Sequence, residues 1–239
     1  MATIQRYLSA AAVAEAAAQF FAQKAQEAIA AQGRFTVALS GGSTPKAMFT
    51  LLAQAPFAEQ VDWPKVHIFW GDERTVPPDH PDSNYKMAAE ALLKSVPLNP
   101  ANVHRMEGEL DPVEAAVRYE DVVRRELGDS PRFDLILLGM GDDGHTASLF
   151  PGTAALDETT RLVVANWVEK LNTWRITLSR TVLNNAANIV FLVVGEAKAA
   201  VLLDVVNGPY QPEVYPSQFI EPTKGTLIWM VDEAAASLL

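Results

Sequence analysis

Phe133-Asp134-Leu135-Ile136-Leu137-Leu138, followed at once by Gly139-Met140-Gly141-Asp142-Asp143-Gly144-His145-Thr146, decides the fold of this chain. The apolar run is too short for a helix, and the glycines behind it stop it. Length and flanking glycine therefore read it as a strand. A nearly continuous apolar run belongs to a strand covered on both faces of a parallel sheet. A loop that carries two carboxylates and an imidazole beyond such a strand lies where open α/β sheets bind ligands.

The same pattern repeats outward along the chain. Residues 35–39 (FTVAL), 66–70 (VHIFW), 162–167 (LVVANW), 175–179 (RITLS), 188–194 (NIVFLVV) and 226–231 (TLIWMV) read as further strands. Residues 9–31 place Val13, Ala17, Phe21, Ala25 and Ile29 in an i, i+4 row that stops at Gly33, which is a helix. Pro45 opens a helix to about Gln54, and Ser83 caps one to about Lys94. Asp111 caps another with Pro112 at its first position, and residues 196–206 form one more. Strands alternating with helices predict a doubly wound, three-layer α/β fold with a mostly parallel sheet. No repeat, low-complexity tract or linker divides the chain, so a single domain over 1–239 is expected. The Pro-rich segment 207–224 reads as a surface loop.

Composition excludes several classes. With 49% hydrophobic and 20% charged residues the chain is globular, not disordered. It has no cysteine, which removes disulfides, thiolate nucleophiles and zinc–thiolate sites. The opening MATIQRYLSAAAVAEAAAQFF has no basic stretch before an unbroken apolar run. Neither a signal peptide nor a spanning helix is expected, and the cytoplasm is the expected compartment. A net charge of −10 argues against nucleic-acid and membrane partners. An anionic substrate would need cations concentrated locally. No sequence stripe marks an interface, so a monomer is expected.

Four strand ends supply such groups to one rim. Ser40-Gly41-Gly42-Ser43-Thr44-Pro45 follows FTVAL, Gly71-Asp72-Glu73-Arg74 follows VHIFW, the Gly139–Thr146 loop follows FDLILL, and Gly195-Glu196-Ala197-Lys198 follows NIVFLVV. The first turn has the parts of an anion cradle: close-approaching backbone N–H groups, hydroxyl donors and a helix N-terminus. The plain alternative is an ordinary capped turn. It is neither a Walker loop nor a nucleophile elbow. Arg74 could pair with Asp72 or Glu73, Lys198 could be an exposed first-turn residue, and Arg175 an edge-strand cation. Together at strand ends of an acidic chain they point to phosphate or carboxylate clamps.

Gly139-x-Gly141-x-x-Gly144 formally matches a dinucleotide fingerprint. Asp142 and Asp143 would, however, stand where a pyrophosphate must approach, and the match falls past mid-chain, so no nucleotide cofactor is expected. The four histidines, His67, His80, His104 and His145, show no helical metal-ligand spacing, and no metal is expected. His145 stands out by its loop and by Asp143 two residues away. That carboxylate could orient an imidazole whose ordinary pKa, ~6.5, suits general-base work.

LSGGSTPKAMFTLLA, WGDERTVPPDHPDSNYKMAAEALL, LLGMGDDGHTASLFPGT, WRITLS and the closing GTLIWMVDEAAASLL resemble, in order, the 6-phosphogluconolactonase family over essentially the whole chain. The related glucosamine-6-phosphate deaminases and isomerases share the SGxTP turn and the G-x-G-x-D-G-H core. After the histidine they continue in an I-A-F-N-E-P manner, where this chain has Thr146-Ala147-Ser148-Leu149-Phe150-Pro151. Their second loop is of Asp-Glu-Tyr type, against Asp72-Glu73-Arg74 here. The resemblance implies a Rossmann-like α/β/α sandwich that hydrolyses 6-phosphoglucono-δ-lactone, a small sugar-phosphate lactone, in the oxidative pentose phosphate route. It implies His145 as base supported by Asp143, and a substrate site from Ser40, Gly41, Gly42, Ser43, Thr44, Asp72, Arg74, Arg175 and Lys198. One departure stands out. The family often carries a Lys-Pro-Pro stretch before its R-I-T segment, and this chain has Lys170-Leu171-Asn172-Thr173-Trp174, keeping the lysine without the prolines.

Overall fold

The computed structural model describes residues 2–239. In chain order the elements are β1 (Thr3–Tyr7), α1 (Ala10–Gln32), β2 (Phe35–Leu39), α2 (Ser43–Leu52), α3 (Phe57–Gln60), β3 (Val66–Trp70), β4 (Asp72–Arg74) and α4 (Asn84–Ala88). There follow α5 (Pro112–Leu127), β5 (Leu135–Leu138), β6 (Val163–Val168), β7 (Thr173–Leu178), α6 (Arg180–Asn184), β8 (Asn188–Val193), α7 (Ala199–Asn207) and β9 (Thr226–Asp232).

Six strands form the central sheet in the order β1-β9-β8-β5-β2-β3, every pair parallel. Helices flank it, as expected of the three-layer α/β/α class. Leu135, Ile136, Leu137 and Leu138 are all buried, which is why β5 reads as an unbroken apolar run. The helix starts follow their caps. Ser9 Oγ accepts from Ala12 N at 3.3 Å ahead of α1, and Asp111 Oδ1 accepts from Val113 N and Glu114 N ahead of α5. The helix expected to open at Pro45 opens at Ser43, with Pro45 inside its first turn. The helix capped by Ser83 runs only to Ala88 as α-helix and continues to Leu93 as a π-type turn.

Two features go beyond what the sequence pattern shows. LVVANW and RITLS are not members of the parallel sheet. β6 and β7 form a hairpin and, with β4, a separate antiparallel sheet of order β4-β7-β6. The chain leaves the central sheet at Gly71, whose N–H donates to Leu39 O and whose carbonyl accepts from Leu178 N, both at 2.9 Å. The segment 207–224 is also less of a surface loop than its prolines suggest. Pro216, Ser217 and Gln218 are buried, and the Gln218 amide donates to the carbonyls of Asp204, Val205 and Pro209. The N-terminal strand β1, at the sheet edge, carries a half-exposed mixed pattern and escapes a search for apolar runs. No helix among the described residues is long and apolar enough to cross a membrane.

Candidate active site

From β2 the chain proceeds to β3 on one side of the sheet; from β5 it proceeds to β8 and β9 on the other. The connections diverge between β2 and β5, so a crevice opens beyond their carboxyl ends. A cleft of about 470 Å³ occupies this place. It is lined by Ser40, Gly41, Gly42, Ser43 and Thr44 after β2, by Asp72 and Arg74 on β4, and by Asp143 and His145 after β5. Arg175 on β7 and Lys198 ahead of α7 complete it. All eleven residues singled out from the sequence meet there.

Asp143 and His145 are coupled directly. Asp143 Oδ1 lies 2.5 Å from His145 Nδ1 and 3.2 Å from His145 N, while its Oδ2 accepts from Lys170 Nζ at 2.8 Å. The hydrogen bond from His145 chiefly, and that from Lys170 next, hold the Asp143 carboxyl well below the usual carboxylate range. An ionised carboxylate only accepts, so Nδ1 carries the hydrogen, and in the neutral imidazole Nε2 keeps its lone pair. The ring of Phe150 stacks on the imidazole at 3.9 Å between centroids. The glycines serve this pair. A Cβ on Gly141 would stand 2.0 Å from His145 Nδ1, and Gly144, at φ +75°, backs onto Tyr215 and accepts from Ser217 N at 2.8 Å. Two of the three glycines of the dinucleotide-like spacing, Gly141 and Gly144, are thus explained by packing against His145 and Tyr215.

The opposite wall is cationic. β4 and β7 pair in a register that sets Arg74 against Arg175. Arg74 donates to Asp82 O at 2.6 Å and Arg175 to Trp174 O at 3.1 Å, so among the described residues neither guanidinium has a carboxylate partner of its own. Burial, and then the charge of Arg74, push the Arg175 pKa down. Like charges directly opposite in an antiparallel pair are unfavourable, and an anion bound between them relieves that repulsion. Beside them, Ser43 and Thr44 open α2, where backbone N–H groups have no intrahelical acceptor. Ser40 Oγ is buried without a hydrogen-bond partner among the described residues. Lys198 pairs with Asp142 at the rim.

Asp72 is buried and engaged internally: Oδ2 accepts from Ser148 Oγ at 2.6 Å and Oδ1 from Asn84 Nδ2 at 3.4 Å. Asn84 in turn lies so close under the anion turn that a Cβ on Gly41 would stand 1.9 Å from its Oδ1. Glu73 ties the start of α4 to β4 by accepting from Asn84 N and Tyr85 N at 2.8 Å each and from Ser83 Oγ at 3.2 Å. Burial raises its pKa. Asn84, Ser148 and Phe150 line the cleft and are not picked out by sequence reasoning. Asn84 is masked as a helix start; Ser148 and Phe150 sit in the segment TASLFPG, where only spatial contact gives them a role. The loop that departs from the family pattern forms a tight hairpin: a 3-10 turn at Glu169–Leu171, then Asn172 at φ 49°, which aims Lys170 at Asp143.

The profile of the family described as glucosamine-6-phosphate isomerases/6-phosphogluconolactonase matches residues 8–229. A 6-phosphogluconolactonase of Synechocystis sp. is 44% identical over 218 residues, covering 89% of this chain and 88% of that protein. One of Haemophilus influenzae is 39% identical, covering 85% and 87%. The solved structure of a 6-phosphogluconolactonase from Trypanosoma cruzi superposes with a TM-score of 0.89 at 30% identity, over 100% of this chain and 97% of that one. With the cleft at the β2/β5 divergence and its histidine–carboxylate pair, the chain is an enzyme and belongs to the glucosamine-6-phosphate isomerase/6-phosphogluconolactonase family.

Proposed function

We propose that this chain hydrolyses 6-phosphoglucono-δ-lactone to 6-phosphogluconate, with His145 as general base and without a metal. The observation that carries the reading is one cleft holding both the Asp143–His145 pair and the opposed Arg74 and Arg175. The first is a base with its tautomer fixed; the second is a site for a dianion. Relatives named 6-phosphogluconolactonase support the assignment.

A lactone is an activated ester, so neither a covalent intermediate nor a Lewis acid is needed. Nε2 of His145 takes a proton from water as the water oxygen bonds to C1. The tetrahedral oxyanion then collapses, the C1–ring-oxygen bond breaks, and the proton passes from Nε2 to the departing ring oxygen. Asp143 keeps Nδ1 protonated and offsets the imidazolium charge during the step. The 6-phosphate, held by Arg74, Arg175 and the start of α2, supplies binding energy that fixes C1 near the base. Lys198 joins by exchanging Asp142 for phosphate. Asp72 acts through Asn84 and Ser148, which it holds in the cleft wall.

Freshly prepared lactone decides between this activity and the isomerase or deaminase chemistry also found in the family. The enzyme should release acid well above the spontaneous rate and leave glucosamine 6-phosphate unchanged. Turnover of the amino sugar with lactone opening at the spontaneous rate would reverse the assignment.

A further inference from the structure

Far from the cleft, β3 brings together two histidines that are distant in sequence. His67 is the second residue of β3, and Val103, bridged to Ile68, lays His104 alongside it, with His104 N donating to Ile68 O at 2.8 Å. The two rings lie 5.9 Å apart, nearly parallel. Glu126, in the last turn of α5, completes the group; one ligand atom from each residue lies within 4.8 Å of the other two. Each imidazole also holds a buried ring nitrogen with no hydrogen-bond partner among the described residues, Nδ1 of His67 and Nε2 of His104, and His104 is only 8% exposed. Buried polar atoms of this kind call for a ligand.

We propose that His67, His104 and Glu126 form an accessory site for a divalent cation of the zinc class, at the amino-terminal end of the central sheet and apart from catalysis. Two imidazoles and one carboxylate suit zinc, cobalt or nickel better than magnesium or calcium, and three protein ligands leave one position for water. A ligating imidazole must be neutral, and here burial lowers both, His104 to about 4, so protons do not compete near neutral pH. Two cations oppose the bound metal. Arg125 Nε donates to Glu126 Oε1 at 2.9 Å, and Arg34 donates to the Glu126 carbonyl at 3.2 Å. No group among the described residues donates to Glu126 Oε2. Tetrahedral zinc sets its ligand atoms roughly 3.3 Å apart, so the side chains must converge by up to roughly 1.5 Å on binding.

The test uses the whole enzyme, stripped with a chelator and titrated with Co²⁺, with Zn²⁺ thermal shifts in parallel. One equivalent should give tetrahedral cobalt absorption, and zinc should raise Tm. His67→Asn and Glu126→Gln, both at half-buried positions, should each weaken binding by at least about tenfold, since even outer partners of a ligand are worth about 10–100-fold. His145→Asn should bind cobalt as the parent does, and chelation should leave kcat/KM for the lactone unchanged. Absence of saturable binding in the parent, parent-like binding in both variants, or loss of binding in His145→Asn would each overturn the site.

Discussion

Asp143 serves two donors at once, and its protonation governs which nitrogen of His145 is free. Its pKa is depressed below the ordinary ~3.9, so the pairing stabilises the fold above that value and is lost only as pH falls through the lower folded one. Asp143 is therefore ionised throughout the neutral range. Asp143→Asn should lower kcat by roughly 10²–10⁴, because a neutral amide no longer fixes the tautomer. KM for the phosphorylated lactone should change little, since the proposed phosphate site lies across the cleft. A proportionate rise in KM would make Asp143 a binding group. The Asp143–His145 pair was legible in the sequence because both members share one loop. The stacking Phe150 and the Lys170 contact were not, because they depend on how two segments fold back.

Among the elements, the small sheet carries most of what sequence alone misses. β4 is three residues long, too short to show a period, and β6 and β7 read as strands without a sign of which sheet they join. Their hairpin pairing decides otherwise, and that pairing is what sets Arg74 against Arg175. β2, β3, β5, β8 and β9 were legible because burial on both faces writes itself as continuous hydrophobicity. If the opposed arginines form a phosphate clamp, Arg74→Ala should cut kcat/KM for the phosphorylated lactone by roughly 10–100-fold, the range of one charge-assisted hydrogen bond. The unphosphorylated lactone should be a poor substrate for both proteins, and equally poor. Equal losses on both substrates would mean that Arg74 supports the fold of the cleft instead.

At the scale of the molecule, side chains of the small sheet, including Val163, Ile176 and Leu178, join the same buried cluster as the central sheet. We propose that residues 1–239 unfold as one unit, because the small sheet has no core of its own to survive alone. Urea unfolding followed by tryptophan fluorescence and by far-UV circular dichroism should give coincident transitions; two separated midpoints would divide the chain. This unity places His145 on one side of the β2/β5 divergence and Arg74 and Arg175 on the other. We propose that His145 performs the proton transfer at C1 while the phosphate is held on the far side of that divergence. The most direct measurement of that transfer is kcat of His145→Asn on freshly prepared 6-phosphogluconolactone, corrected for spontaneous opening and read on protein whose unfolding midpoint matches the parent. The account predicts a loss of roughly 10²–10⁴ in kcat with KM nearly unchanged; a folded variant that keeps the parent kcat would contradict it.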